Sequence, residues 1–149
     1  MRKSILAVVA VLAAGLAFGD KVYTPNDFKG TDSERIEQAI AAALANKAFR
    51  MTIPAENAAR GTRVWMIERT IELPSDFTLL LDGARLEAAP GLKGPVIRNA
   101  ACGAAGAKPD RNLEVLGLRS VRSTIVGGSP SIEVGNADGF ILSNLLLDP

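Results

Sequence analysis

The sequence predicts an all-β solenoid headed by a single capping α-helix. Three observations carry this: one amphipathic stretch of helical period, eleven short apolar bursts of period two after it, and an internal echo among those bursts. The bursts are too short and too closely spaced for a doubly wound sheet, whose parallel strands each need a crossover helix.

The chain opens with Arg2 and Lys3 and then carries no charge from 4 to 18, the basic and apolar regions of an export signal. A membrane-spanning helix needs about 20 apolar residues; here the small residues Ala17 and Gly19 are followed at once by Asp20 and Lys21. Residues 1–19 are therefore read as a signal peptide cleaved after Gly19, and residues 20–149 as a secreted or periplasmic mature chain with no membrane span. With 17 basic and 16 acidic residues in all, loss of Arg2 and Lys3 brings the balance to about −1. Such a surface carries no electrostatic footprint for nucleic acid. The single cysteine, Cys102, can form no intrachain disulfide and is read as a free, exposed thiol in a run of small residues. The chain has no histidine, which excludes Ser-His-Asp and Cys-His catalysis within it.

The helix begins at Thr31-Asp32-Ser33-Glu34, a capping hydroxyl followed three residues later by a carboxylate that can reach back to the cap N–H. Ile36, Ala39, Ile40, Ala43 and Leu44 then recur on one face, with Arg35, Glu37, Gln38 and Lys47 on the other, so the helix spans 32–46. After residue 50 the apolar bursts fall at 51–53, 64–67, 70–73, 77–81, 85–88, 95–98, 113–116, 123–126, 131–134, 140–142 and 145–147. Three segments echo one another: Asp76-Phe77 to Gly83, Asn112-Leu113 to Gly117, and Gly139-Phe140 to Asn144. A lone Gly or Asn between two bursts tolerates a left-handed backbone and bends the chain sharply. Such a bend makes the corner of a coil. The interval from Gly117 to Asn144 is 27 residues, with a longer one before it because 99–110 reads as an inserted loop. A β-sandwich with regular turns is the alternative, and the leading helix favours the solenoid.

The run Gly30-Thr31-Asp32-Ser33-Glu34 with Ile36, Ala39 and Ile40 resembles the helix that opens pectate-lyase-like and polygalacturonase-like proteins. Trp65 to Ser75, Phe77 to Gly83 and the turn after Ser123-Thr124-Ile125-Val126 resemble their first coils. The resemblance covers about 23–149 and implies a right-handed parallel β-helix. It also implies a secreted hydrolase or lyase acting on acidic polysaccharides of the pectin or polyuronate type. Hydrolases of that family carry Asn-Thr-Asp, Asp-Asp, Gly-His-Gly and Arg-x-Lys motifs, and none of these is found in the sequence. The chain is accordingly expected to be the N-terminal scaffold of such an enzyme, inactive alone and truncated before the catalytic coils. A non-catalytic β-helix that binds carbohydrate or decorates a surface is the alternative.

No catalytic, metal-binding or cofactor-binding residue is assigned, and no cofactor is expected. Glu68 and Glu72 could form the acid and base of glycoside cleavage, but alternation places them with Met66 and Thr70 on a solvated face. Asp82 reads as a turn residue before Gly83. Trp65 could stack on a sugar ring, yet it alternates with Ile67 and Ile71 as a core residue would. Arg85, Arg98, Arg111, Arg119 and Arg122 are scattered over different coils, where some could line a groove for an acidic polysaccharide.

The last apolar run, with Ile141, Leu142, Leu145 and Leu147, is expected to leave one solenoid end open, and an uncapped end self-associates. Size-exclusion chromatography with light scattering on residues 20–149 should give oligomers or aggregates; a dilution-resistant monomer would contradict the open-ended solenoid.

Overall fold

In the computed structural model of the chain, residues 21–118 and 121–149 are described; the signal-peptide reading and Arg119 lie outside them. The helix, α1, spans Asp32–Ala45. Thr31 caps it as a reciprocal pair: the Glu34 N–H donates to Thr31 Oγ1 at 3.3 Å and the Thr31 N–H donates to Glu34 Oε2 at 2.9 Å. Just before it, a short 3₁₀ turn at Pro25–Asp27 is capped by Thr24.

All eleven apolar bursts are strands. They are β1 (Arg50–Pro54), β2 (Val64–Ile67), β3 (Ile71–Leu73), β4 (Thr78–Asp82), β5 (Arg85–Ala88), β6 (Ile97–Asn99), β7 (Asp110–Gly117), β8 (Ser123–Val126), β9 (Ile132–Glu133), β10 (Ala137–Ser143) and β11 (Leu145–Asp148). Each of β1 to β8 pairs in parallel with the strand three places further on. The result is three sheets ordered β1-β4-β7-β10, β2-β5-β8-β11 and β3-β6-β9. Strands three apart in the chain are thus neighbours within a sheet.

This register files like side chains inward. Met51 lies over Leu79, Leu79 over Val115 and Val115 over Leu142 in the first sheet; Trp65, Leu86, Ile125 and Leu147 do the same in the second. Ile71, Ile97 and Ile132 form the file of the third. Alternation of period two in each strand turns these residues to the centre, and all but the last member of each file are fully buried. α1 touches the first strand of every sheet, and Ile36, Ala39, Ile40 and Ala43 join the same core. The helix therefore lies across the starting end of all three sheets. At the other end Leu142 and Leu147 remain about 40% exposed, beside the outward Ile141 and Leu146.

The echo of the sequence is a stacked set of left-handed residues. Asp76 and Asn112 have φ of 59° and 50°, Gly139 has φ of 86°, and the Asn112 amide donates to Asp76 Oδ1 at 2.7 Å. Gly139 lies against Asn112 in turn. Of the expected corner residues, Gly83 and Asn144 adopt positive φ, whereas Gly117 does not. Gly117 is required for space instead: a Cβ there would meet the Asn144 carbonyl oxygen at 2.1 Å.

The structure corrects the expectation for two residues. Arg35, which helical period assigns to the solvated face, is 2% exposed, because its guanidinium finds four hydrogen-bond acceptors inside. Cys102 is half-buried rather than exposed, with its sulfur close to Gly135.

Replacing Thr31 by Ala should lower stability by about 1 kcal/mol through loss of the cap, and Leu79→Ala by about 2–5 kcal/mol through a cavity in the inward file. Ile40→Asp, which buries an unpaired charge under the helix, should prevent cooperative unfolding altogether. Urea titrations check the order; equal, negligible effects of Thr31→Ala and Ile40→Asp would mean that the helix does not dock.

Candidate functional site

Glu68, Glu72 and Arg98, from the end of β2, from β3 and from β6, line one open groove of about 720 Å³ between α1 and the third sheet. Its helix side carries Glu37, Ile40, Ala41 and Leu44, and its far side Leu92 and Lys93 from the segment between β5 and β6. The floor is aliphatic and the rims are charged. Glu72 and Arg98 are opposed in the parallel register, as are Arg98 and Glu133, so the outward face of this sheet is a ladder of alternating charge.

The carboxylates in the groove are already engaged. Glu72 Oε1 accepts from Arg98 Nε at 3.0 Å and from Arg98 Nη2; that hydrogen bond, and then the charge of Glu72, hold the Arg98 guanidinium above its ordinary value. Glu37 accepts two hydrogen bonds from Arg69, at 3.2 and 2.7 Å. Glu68 Oε2 accepts from the Ser33 N–H at 3.4 Å, and its other oxygen lies 3.8 Å from Arg60. Glu68 and Glu72 thus share a groove, yet each belongs to a separate polar set: one pins the start of the helix and the other joins β3 to β6. The arrangement can seat an amphipathic ligand by its aliphatic floor and charged rims. It does not present the pair of unengaged carboxyls that glycoside cleavage needs.

Trp65 is fully buried, and its indole N–H donates to the Pro54 carbonyl at 3.0 Å, which rules out sugar stacking. Asp82 ends β4 beside the left-handed Gly83, as a turn residue. The arginines divide by position: Arg98 faces the groove, and Arg111 is exposed near the start of β7. Arg85 and Arg122 meet at a smaller cleft of about 250 Å³ on the second sheet, together with Arg63. Sequence pattern does not single out Arg63; it stands just before β2, and only the register reveals that it adjoins Arg85.

A second cluster without a sequence signal surrounds Asp110, which is buried at the start of β7 where the inserted loop rejoins the sheet. Asp110 Oδ2 accepts from the Asn99 amide at 2.8 Å and from the Ala101 N–H at 2.6 Å, and Oδ1 accepts from the Ser75 hydroxyl at 2.9 Å. Asn99 also exchanges hydrogen bonds with Gly135, at 2.8 and 3.0 Å. Burial pushes the Asp110 carboxyl up, but the Ala101 N–H, Asn99 and Ser75 bonds outweigh it and hold it below its ordinary value. No group of three or more His, Cys, Asp or Glu suited to a metal ion occurs among the described residues, and no described helix is long and apolar enough to cross a membrane. In comparison with known proteins, the chain matches no family model, no curated protein and no solved structure.

Because its folded value is depressed, Asp110 adds stability that is fully present above its ordinary value of 3.8 and is lost as pH falls through the folded value. Asp110→Asn should cost about 1–3 kcal/mol at pH 7, and the gap to the parent protein should narrow below pH 3.8. Urea unfolding across that range measures it; a gap independent of pH would remove the carboxylate from the account.

Proposed function

We propose that the three sheets are the faces of a right-handed parallel β-helix, and that the chain is the helix-capped scaffold of an exported protein acting on acidic polysaccharides. The observation that carries this reading is the addition of each strand from β4 onward, in parallel, to the strand three places earlier, beginning under α1. A solenoid built this way grows by repetition and presents a long, regular outer surface, the geometry suited to an extended polymer. The groove between α1 and the third sheet gives that surface one concave site. Its rims carry both signs of charge, with Lys93 to meet a carboxylate and an aliphatic floor to meet sugar ring faces.

The role is structural rather than catalytic. In the groove, Glu72 is spent on holding two rounds together through Arg98 and Glu37 on fixing Arg69 to the helix, so these carboxylates serve the stack.

Purified residues 20–149 incubated with polygalacturonate should release neither reducing ends nor unsaturated products beyond a heat-treated control. Sustained turnover abolished by Glu72→Gln would overturn the scaffold reading and make the groove an active site.

A further inference from the structure

A second ligand site lies away from the groove, on the outer face of the second sheet. The cleft there is lined by Arg63, Gly83, Ala84, Arg85, Arg122 and Thr124. Arg63 adjoins β2, Arg85 opens β5, and Arg122 directly precedes β8, so one arginine comes from each of three successive rounds. Arg63 stands just before Val64, which opposes Arg85, and Arg122 stands two positions before Thr124, which also opposes Arg85, so the three side chains reach the cleft from staggered positions.

Two of the three charges are not cancelled. Arg63 donates through Nε and Nη2 to the Gly83 carbonyl, at 3.2 and 2.6 Å. A neutral carbonyl fixes the guanidinium plane and leaves its positive charge whole. Arg85 is the exception, ion-paired with Glu87 two residues along the same strand at 3.0 Å. Among the described residues, neither Arg63 nor Arg122 forms an ion pair with a carboxylate. Thr124, opposite Arg85 in the register, adds a hydroxyl to the same face. Gly83 keeps the floor open, since a Cβ there would come within 3.3 Å of Arg63 Nη2 and 3.0 Å of Val121.

We infer that this arginine cluster binds an acidic group of a polyanionic sugar chain that passes over the cleft. The cleft is too small to enclose a ligand of ordinary size and well shaped to take one carboxylate or sulfate from a longer polymer. Guanidinium groups recognise such oxyanions through paired N–H donors. The identity of the polymer as a polyuronate rests on the function proposed above; the anion site itself rests on the arginines alone.

Titration calorimetry at low and at physiological salt tests this on residues 20–149, with an oligogalacturonate, a sulfated dextran oligomer, a neutral malto-oligosaccharide and single-stranded oligothymidylate as probes. The expected result is binding of the acidic sugars that weakens as salt rises, with no binding of the neutral one. Arg122→Gln, an exposed change that leaves thermal stability intact, should weaken it about tenfold or more, and Arg122→Lys less. Arg63→Gln combined with Arg122→Gln should abolish it. Unchanged affinity in Arg122→Gln, equal binding of the neutral sugar, or tighter binding of oligothymidylate would overturn the inference. Arginine-dependent binding of the sulfated but not the carboxylated probe would uphold the site and overturn the polyuronate reading.

Discussion

The fold depends on one buried ion pair. Asp32, the first residue of α1, and Arg35, one turn later, are each 2% exposed and meet at 3.1 Å. Two charges removed from water are tolerated only when every remaining donor and acceptor is also engaged, and here they are. Asp32 Oδ1 also accepts from the Asn57 amide, and Oδ2 from Arg60 and the Met66 N–H. Arg35 donates further to Pro25, Asn26 and Asn57, and its guanidinium lies 4.9 Å from the Trp65 ring. One knot thereby fixes the 3₁₀ turn, the helix, the segment between β1 and β2, and β2 itself. With no polar side-chain atom left unsatisfied among the buried described residues, the apolar face of the helix is aimed at the core in one orientation, and the files of inward side chains start from a defined first layer.

That beginning matters because parallel pairing offers little local help. Arg50 opposes Thr78, and Leu113 opposes Phe140, pairings 28 and 27 residues apart in sequence. Contacts of such separation close loops before any stabilisation is gained, and chains rich in them fold slowly. A template that is already helical and already anchored reduces the problem to adding strands to existing sheet edges. The Asp110 and Asn99 cluster does the same job further along the stack, since it ties the ends of the inserted loop to each other and to Gly135 above.

Much of this was legible in the sequence. Thr31 with Glu34 marked the helix start, and the helix ends within a residue of the expected position because its period is read over several turns. The eleven bursts were legible because β-branched and aliphatic residues alternate between turn residues, and three of them, at β2, β5 and β8, match to the residue. What pattern could not reveal was pairing. Arg35 looked solvated because a charged residue on a helix usually is; only the chain's return with Asn57 and Trp65 makes its burial tolerable. Gly117 looked like a bend for the same reason as Gly83, yet its need arises from Asn144, which lies 27 positions on. The grouping of Arg63 with Arg85 and Arg122, and of Glu72 with Arg98, is likewise a product of register, which is set by side chains many residues away.

The stacked left-handed residues have a further consequence for how such a chain can vary. From Asp76 to Asn112 the chain travels 36 residues, and from Asn112 to Gly139 only 27, yet the stacked positions coincide. The surplus is absorbed between β6 and β7, where Asp110 re-enters the sheet. The fold therefore counts corners and not residues. The corner after the third sheet behaves as a port through which length can be added or withdrawn while the pairing on either side keeps its phase, so new surface can be installed there without renegotiating the core.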